Sequence, residues 1–563
     1  MPQCRACKQH FEIDPAVGGA GNLDRAFYAK IEVPPPTHCP QCRQQRRLAW
    51  RNERTLYKRA CDLCNKNLIS IYPAQTPWPV YCNECWWSDK WDPMDFGAQL
   101  PPPNPNQSFF EQYAALQQKV PRLAIYLKNS ENSEYCNHSE AIKNSYLCVD
   151  TTGEDIFYSK WIIGGCRDLA DCYQLEKSEL CYESLYSVGA YNCKYAILSD
   201  NSRDSAFIYN CRGVANCYMS WNLNHKEYNI LNKQFSRQEY EDQMKKVDLG
   251  SYEIFEKSRT KFLQLLDEEI PRRAQVLINS ENASGDMIYN SKNVHDSYDV
   301  IESEDSRYCY DAGFLKDCYD TYEAAFNCEL QYDSHACNRG TRLRFSHVSY
   351  DVDSCDYIDS CHNSNDLFGC IGLRRKKYCI LNRQYTKEEF EKVRSEFIEK
   401  MKERGEFGEF FPIQLSPYGY NETVAQEYFP LQKEEALSRA YKWSDQASAT
   451  KVTAQPTLTT LPDNIKDTPA SSRRRGIAEE ILHCTECTKP YRMTSQEVAL
   501  YKKLGVPLPR KCHLCRHAAR LELRNQQWLQ AATCAKCGVG VQAALPRRRR
   551  GVVYCEGCFR DER

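Results

Sequence analysis

The sequence predicts a multidomain α+β protein in which cysteine-rich metal-binding modules flank a duplicated, β-rich, solenoid-like body with connecting helices. Three observations lead to this fold class. The 563 residues are too many for one hydrophobic core. Sixteen of the 32 cysteines form eight CxxC pairs, all of which lie either between Cys4 and Cys85 or between Cys484 and Cys558. Two internal repeats relate the two ends of the chain and the two halves of the body.

The composition predicts a globular cytoplasmic protein without a membrane partner. Hydrophobic residues make up 42% of the chain and charged residues 26%. No apolar run approaches the ~20 residues of a membrane helix, and the first residues lack the apolar segment of a secretory signal. Because the cytoplasm is reducing, the cysteines indicate metal ligands or buried thiols rather than disulfides.

The two ends are related by the first repeat, in which Cys39, Cys61 and Cys82 recur in the same register as Cys512, Cys534 and Cys555. Two neighbouring CxxC turns supply four thiolates, which suit a tetrahedral Zn²⁺ and leave no open coordination position. We therefore predict four structural zinc sites; redox-active CxxC pairs are the alternative, although thiol exchange does not need eight pairs in a duplicated register. The predicted ligands are Cys4, Cys7, Cys39, Cys42, Cys61, Cys64, Cys82, Cys85, Cys484, Cys487, Cys512, Cys515, Cys534, Cys537, Cys555 and Cys558.

The ends are also basic, whereas the body is acidic. Residues 1–92 carry 13 Lys and Arg against 9 Asp and Glu, and residues 473–563 carry 19 against 8. Residues 93–472 carry 42 against 58. Such asymmetry is typical of proteins whose basic ends contact nucleic acid.

An arginine face is predicted in each module, on a helix that begins at the second CxxC pair as in a treble clef. Helical arginines beside an aromatic ring suit phosphate contact and base stacking. The alternatives are a solvated face that neutralises the zinc–thiolate charge, and binding of acidic proteins. The predicted nucleic-acid-binding residues are Arg43, Arg46, Arg47, Trp50, Arg51, Arg54, Arg516, Arg520 and Arg524, together with Arg547, Arg548, Arg549 and Arg550 at a hairpin tip.

The body consists of two copies of one unit, related by the second repeat. The sequence Asn-Ser-Glu-Asn begins at both Asn129 and Asn279, and capping boxes that open a helix start at both Ser236 and Thr386. Short Tyr-, Cys- and Ile-rich segments recur about every 11 residues between Asn, Asp, Ser and Gly turns. This short period favours a β-solenoid over an antiparallel meander.

The sixteen remaining cysteines lie in the body, eight in each copy. Cysteine is small and apolar enough to stack inside a narrow β core, so we predict buried thiols. Disulfides, additional metal sites or a catalytic thiol are the alternatives. The predicted domains are an N-terminal double zinc module (1–96), two β-rich repeat units (97–250 and 251–404), an aromatic segment packed on the body (405–443), a flexible linker (444–476) and a C-terminal double zinc module (477–563).

Several of these segments resemble a known group of proteins. The runs Cys39-Pro-Gln-Cys-Arg-Gln-Gln-Arg-Arg and Gly505-Val-Pro-Leu-Pro-Arg-Lys-Cys-His-Leu-Cys-Arg are similar to the zinc-ribbon domain of many bacterial proteins. The segments that begin at Tyr378 and Tyr420 resemble large uncharacterised zinc-ribbon proteins of candidate-phyla bacteria, and the resemblance spans nearly the whole chain. It implies zinc at the sixteen CxxC cysteines and a bacterial cytosolic setting, and it implies no particular activity.

From the residues we predict a zinc-binding, non-enzymatic protein whose basic modules bind RNA, on a ribosome or a tRNA. The runner-up is a protein–protein interaction scaffold that uses the Tyr- and Cys-rich body. A glycan-active enzyme is third, because some β-solenoids cleave sugars and this argument rests on the fold alone.

Overall fold

The computed structural model describes residues 1–13, 23–448, 460–468, 477–547 and 551–562. They form two compact units, each built from two segments that are distant in sequence. Unit 1 comprises residues 1–125 and 275–449, and unit 2 comprises residues 126–274 and 450–563. The N-terminal module therefore shares a unit with the second copy of the body, and the C-terminal module shares a unit with the first. The predicted domains, taken in chain order, do not contain this pairing.

Both copies of the body are β-solenoids, which confirms the predicted solenoid and rules out the meander. In the first solenoid, Lys194, Ala206 and Tyr218 align in neighbouring parallel strands, so each rung advances the residue number by 12. The second solenoid pairs in the same way. Occasional rungs are shorter or longer; Leu315, for example, aligns with Cys328. This irregularity explains why the sequence shows only an approximate period.

The strands of the solenoids are short, as expected for such small rungs. Those of the first solenoid are Leu127–Lys128, Ser139–Glu140, Ile142–Lys143, Val149–Thr151, Gly153–Phe157, Lys160–Ile163, Arg167–Ala170, Tyr173–Glu176, Glu179–Tyr182, Leu185–Val188, Lys194–Ile197, Ala206–Tyr209, Ala215–Trp221, Glu227–Ile230 and Lys233–Gln234. Those of the second are Leu277–Ile278, Gly285–Tyr289, Lys292–His295, Ser297–Ile301, Glu304–Arg307, Tyr310–Gly313, Leu315–Tyr322, Cys328–His335, Asn338–Arg344, Tyr350–Asp356, His362–Phe368, Lys377–Ile380 and Arg383–Gln384.

The rungs turn at left-handed residues that recur every third position. From Asp168 to Tyr186, every third residue has a φ between 48° and 58°. This conformation is costly for L-residues and least costly for Asn and Asp, which are frequent at these corners. Contacts between stacked corners offset the cost; Asn210, for example, donates from Nδ2 to Asn222 Oδ1 at 2.7 Å.

The interior of each solenoid is lined by Cys, Ser, Ala, Ile and Leu side chains, and many of its hydroxyl and thiol groups are hydrogen-bonded to backbone groups. Ser178 Oγ donates to the Glu176 carbonyl at 2.9 Å and accepts from the Ala190 N–H at 3.0 Å, so one hydroxyl links two rungs. Cys181 Sγ donates to the Glu179 carbonyl at 3.4 Å. All sixteen body cysteines are buried and free, which confirms the predicted buried thiols.

Helices and short strands make up the rest of each unit. The two predicted capping boxes are present, at Ser236 and Thr386. Helices of unit 1 are Leu23–Lys30, Pro40–Leu48, Asn83–Trp86, Pro93–Ala98, Phe109–Gln117, Lys387–Arg404, Ala425–Tyr428, Lys433–Ser438 and Asp445–Ser448, with 3₁₀ turns at Ile413–Leu415 and Tyr420–Glu422. Helices of unit 2 are Arg237–Met244, Tyr252–Glu268, Ser495–Leu504, His513–Leu521 and Glu556–Arg560, with 3₁₀ turns at Ile465–Asp467 and Ile477–Glu479. The module strands are Tyr57–Ala60, Asn67–Ser70, Val80–Tyr81, Arg122–Leu123, Pro271–Arg273, Leu482–His483, Pro490–Tyr491, Gln530–Thr533, Gly540–Ala543 and Val552–Tyr554.

Two of the connecting segments pack against the units. In the aromatic segment, Phe411 is buried with its ring centroid 5.0 Å from that of Trp50. Within the predicted flexible linker, Asp463 accepts a hydrogen bond from the Tyr252 N–H at 2.9 Å, and Ile465 is buried in unit 2. Residues 449–459 and 469–476 of that linker lie outside the described residues. No helix in the described ranges combines the length and the apolar character needed to cross a bilayer.

Candidate metal centres and the arginine helices

The cysteines of the CxxC pairs come together as four tetrads in the described residues, with the partners that sequence order predicts. In each tetrad the four Sγ atoms lie within 4.8 Å of one another. The tetrads are Cys4, Cys7, Cys39 and Cys42; Cys61, Cys64, Cys82 and Cys85; Cys484, Cys487, Cys512 and Cys515; and Cys534, Cys537, Cys555 and Cys558. All sixteen predicted ligands are therefore positioned to hold metal ions.

The geometry of the tetrads fits a tetrahedral metal ion. A tetrahedron with metal–sulfur bonds of ~2.3 Å has sulfur–sulfur edges of about 3.8 Å. The Sγ atoms of Cys7 and Cys39 are 3.8 Å apart, and those of Cys487 and Cys512 are 3.7 Å apart. The corresponding separations in the other two tetrads are 3.9 and 3.8 Å. The cysteines thus already stand at the spacing that a tetrathiolate site requires.

Backbone amides and helix N-termini stabilise the thiolates. The Cys39 N–H donates to Cys4 Sγ at 3.3 Å, and the Cys512 N–H donates to Cys484 Sγ at 3.2 Å. A hydrogen bond from Cys42 is the largest effect on Cys39 and lowers its pKa to about 5. Burial alone would raise the pKa of Cys484, but backbone N–H groups outweigh it and lower the pKa to about 6. Both tetrads therefore hold a thiolate near neutral pH, which favours metal binding.

Each first tetrad also begins an arginine helix. The N-terminal arginine helix, Pro40–Leu48, starts after Cys39, and the C-terminal arginine helix, His513–Leu521, starts after Cys512. The second cysteine of each pair immediately precedes an arginine, Arg43 or Arg516. A metal ion at the tetrad would therefore fix the first turn of a helix that carries the predicted nucleic-acid residues.

In unit 1 the N-terminal arginine helix is buried against the second solenoid. Arg43 donates from Nε to Asp320 Oδ2 at 2.9 Å. Arg47 is fully buried between two corner carboxylates, 2.5 Å from Asp333 Oδ1 and 3.3 Å from Asp320 Oδ1. The charges of Arg43 and Arg47 are thus neutralised by carboxylates that lie 273 to 286 residues further along the chain.

Other arginines of this helix and the turn after it are held in the same way. Arg46 donates to Asp333 at 2.9 Å and to Glu409 at 2.8 Å. Arg51 is buried and pairs with Glu53 at 3.0 Å and with Glu323. Burial favours the protonated form of Glu409, but Arg46 and His38 outweigh it and hold the pKa of Glu409 well below its usual value. Unit 1 therefore contains a buried network in which arginines and carboxylates neutralise one another.

In unit 2 the same interface is built from the other module and the other solenoid. Arg516 donates from Nε to Asp171 Oδ2 at 2.8 Å, and Arg520 donates from Nη1 to Asp171 Oδ1 at 2.5 Å. The Arg516 guanidinium lies 4.8 Å from the ring centroid of Tyr158. In unit 1, the Arg43 guanidinium lies 5.2 Å from the ring of Tyr308, which matches Tyr158 across the repeat of the body. The arginines of these two contacts are related by the repeat of the chain ends, and the tyrosines are related by the repeat of the body. The two units therefore contain equivalent contacts.

These contacts correct the prediction of exposed arginine faces. Solenoid carboxylates and aromatic rings contact the guanidinium groups of both arginine helices, so the helices do not present these groups to solvent. Buried members of the predicted set are Arg43, Arg46, Arg47, Trp50, Arg51, Arg516, Arg520 and Arg524. Arg54 is half-buried and lies 3.7 Å from Glu427. At the predicted hairpin tip Arg547 is exposed, and Arg548, Arg549 and Arg550 lie outside the described residues.

One basic cluster was missed by the sequence-based prediction. Arg374, Arg375, Lys376 and Lys377 form a run of four basic residues in the otherwise acidic body. The run lies on the last rungs of the second solenoid, beside the exposed side chain of Trp87. The signal was visible in the sequence, because four consecutive basic residues stand out in a segment where acidic residues dominate.

Neither protein-family models nor curated proteins match this chain. The similarity to bacterial zinc-ribbon proteins therefore rests on the quoted residues, and the four tetrads are its structurally supported part.

Proposed function

We propose that this protein is a zinc-stabilised, non-enzymatic binding protein in which metal sites fix the terminal modules onto the solenoids. The main support is that a metal-ligand cysteine and an arginine of a buried ion pair are adjacent in the sequence at both ends of the chain. Cys42 is followed by Arg43, which pairs with Asp320, and Cys515 is followed by Arg516, which pairs with Asp171. Metal binding contributes ~10–16 kcal/mol to the folding of small zinc modules. That free energy would order the helix that the buried ion pairs require.

Zinc is the proposed ion, and its role is structural. Four thiolates are a donor set that suits Zn²⁺, and a site closed by four protein ligands leaves no position for a substrate. Redox exchange at the CxxC pairs is less consistent with the geometry, since each cysteine contacts three others at metal-ligand spacing. The reducing cytoplasm is the proposed setting, because thiolate sites persist there.

RNA is the proposed partner, and the support is the basic charge at the ends of the chain. Since carboxylates within each unit neutralise the arginines of the arginine helices, RNA would contact other basic residues. A protein partner that binds the solenoid surface is the alternative, supported by exposed large side chains such as Tyr191 and Ile163. The third hypothesis, a glycan-active enzyme, is supported only by the solenoid fold.

Metal analysis and nucleic-acid content together test the proposal. Protein purified without added metal should contain four zinc ions per chain, and Cys487→Ser should lower the count by one. The matched control is Cys193→Ser, which changes a buried body thiol and should keep four ions. RNA that copurifies should be lost after nuclease treatment together with its associated proteins. About two zinc ions, or iron in their place, would contradict the metal assignment, and partners that persist after nuclease would favour the protein scaffold.

A further inference from the structure

A surface of unit 1 combines an exposed tryptophan with a run of basic residues. Trp87 follows the helix Asn83–Trp86 of the N-terminal module, and 48% of its surface is exposed. Residues 374–377 lead into the last parallel rung of the second solenoid, and Lys377 is the first residue of its strand. We call Trp87 together with Arg374, Arg375, Lys376 and Lys377 the Trp87 surface.

The ring of Trp87 is held in place from below by other rings. Its centroid lies 4.7 Å from that of Trp86, which is fully buried, and 5.1 Å from that of His362. Burial, assisted by the nearby Arg374, lowers the pKa of His362 to about 3, so this imidazole is neutral at physiological pH. Trp87 is therefore a pre-positioned aromatic platform, and its ordering cost is met by the fold rather than by a ligand.

Arg374 ties the basic run to the tryptophan. It lies one rung after His362, donates to the Trp86 carbonyl at 2.7 Å and to the Ser88 carbonyl at 3.4 Å. These two carbonyls belong to the residues on either side of Trp87, so the guanidinium is anchored beside the Trp87 backbone. It lies over the rings of Trp86 and Trp91, 5.4 and 5.1 Å from their centroids. Its hydrogen bonds go to neutral groups, which leave its positive charge uncompensated by an ion pair within the described residues.

The neighbouring basic residues are only weakly neutralised. Arg375 is exposed at a left-handed corner and has no ion-pair partner among the described residues. Lys376 lies 3.4 Å from Asp92, and Lys377 lies 3.9 Å from Asp366. Asp89 also acts on Arg374. These carboxylates reduce the positive charge of the surface, and the exposed Arg375 and Lys377 remain for an anionic ligand.

We propose that the Trp87 surface binds single-stranded nucleic acid, with a base stacked on Trp87 and phosphates at Arg375 and Lys377. The proposal rests on the proposed function and names the site for it. An exposed ring beside flexible cations suits unpaired bases, because the face of a base is accessible only outside a duplex. A purely acidic protein segment would use the cations and would have no need of the ring. The surface includes no residue of the arginine helices, whose charges are already neutralised.

The test uses the full-length zinc-loaded protein and fluorescein-labelled 20-nucleotide probes of single-stranded RNA, single-stranded DNA and duplex RNA. Trp87→Ala should weaken single-strand binding about 5- to 150-fold, the loss expected for one stacked base. Arg375→Glu with Lys377→Glu should remove two phosphate contacts and flatten the log–log salt slope by about 1.4. Weaker binding of the duplex is expected, and the RNA and DNA probes decide between the two sources of single strand.

Matched controls separate this site from general effects of charge and folding. Phe326→Ala removes another exposed aromatic side chain of the same solenoid, which is 52% exposed. Arg339→Glu with Lys316→Glu makes the same charge change at an exposed corner and an exposed strand position of earlier rungs. Neither control should change affinity by more than about twofold. All variants should keep four zinc ions, because none changes a ligand.

The outcomes distinguish the site from the function. If the wild type binds RNA and the Trp87-surface variants bind as tightly as the controls, this site is wrong and the proposed function stands. If the wild type binds no probe at low salt, the RNA part of the proposed function fails together with the site. If poly-glutamate competes as well as RNA and Trp87→Ala has no effect, the surface is an electrostatic docking site for acidic proteins, which also overturns the proposal.

Discussion

Replacing Asp171 by asparagine should strongly destabilise unit 2. Asp171 is a buried corner residue whose carboxylate receives Arg516 at 2.8 Å and also Arg520. Asparagine has nearly the same shape and accepts the left-handed conformation, with a φ of 58° at this position. The substitution therefore removes the charge and little else. It leaves the buried Arg520 without its counter-ion and leaves Arg516 with only Glu497, 3.8 Å away.

The expected loss is large because the pair is buried. Removing one partner of a buried ion pair costs about 3–5 kcal/mol, most of it from the uncompensated charge that remains. With a urea dependence of ~3 kcal/mol per molar, the unfolding midpoint of unit 2 should fall by about 1–1.7 M. Asp204→Asn is the matched control, since Asp204 is an exposed corner residue with a φ of 48°. Its substitution should change stability by no more than about 0.5 kcal/mol.

The stability difference between the wild type and Asp171→Asn should also depend on pH. Burial would raise the pKa of Asp171, but Arg516 and Arg520 outweigh it and hold the pKa below its usual value. A lowered folded-state pKa means that the stabilisation is fully present above the unfolded-state value of ~3.9 and is lost as pH falls through the folded-state value. The stability difference between wild type and Asp171→Asn should therefore be constant near neutral pH and shrink in acid.

Urea unfolding followed by circular dichroism, with hydrogen exchange at the C-terminal arginine helix, measures both effects. The helix amides should exchange faster in Asp171→Asn and at the wild-type rate in Asp204→Asn. Equal stability of the two variants would refute the buried ion pair. In that case the arginine helix would be free in solution, and its predicted role in nucleic-acid contact would deserve renewed testing.

Three further predictions concern the metal sites, the thiols and the corners. Removing zinc with a chelator should speed hydrogen exchange in both arginine helices while the β signal of the solenoids persists; unchanged exchange would contradict the link between metal and ion pairs. The body thiols should react slowly with a thiol reagent, since burial raises the pKa of Cys193 to about 12, and denatured, metal-free protein should expose all 32 thiols; several disulfides in fresh protein would be incompatible with this. Gly153→Ala should destabilise unit 2 by about 2 kcal/mol or more, because the φ of Gly153 is +131° and a Cβ there would lie 2.4 Å from the Cys166 carbonyl oxygen. Gly164→Ala should change stability little, because no atom lies within 4 Å of a Cβ at that position. Equal effects of the two substitutions would argue against the rung geometry.

The metal ligands could be predicted because their geometry is local. A CxxC turn places two sulfurs together whatever the rest of the chain does, and the order of the turns along the chain left one simple pairing. The repeat that relates the two ends of the chain supported that pairing independently. The structure brings all sixteen of these cysteines together in the predicted tetrads.

The presence of a solenoid could be predicted, but the alignment of residues between its rungs could not. Its corners recur every third residue, yet the interior positions accept Cys, Ser, Ala, Ile and Leu alike, because hydroxyl and thiol groups bond to neighbouring carbonyls there. Hydropathy therefore does not alternate along the chain, and only the recurrence of Tyr-, Cys- and Ile-rich segments revealed an approximate period.

The role of the arginines was decided by the tertiary structure alone. Arginine spacing showed a single face on each helix, and the sequence was compatible with phosphate, solvent or carboxylate as its partner. The partners proved to be Asp320 and Asp171, which lie 277 and 345 residues from Arg43 and Arg516. A sequence repeat shows that two helices are equivalent, but burial of a guanidinium depends on which distant carboxylate the fold places against it. Local spacing determined where the metals bind, and long-range packing determined what the charges contact.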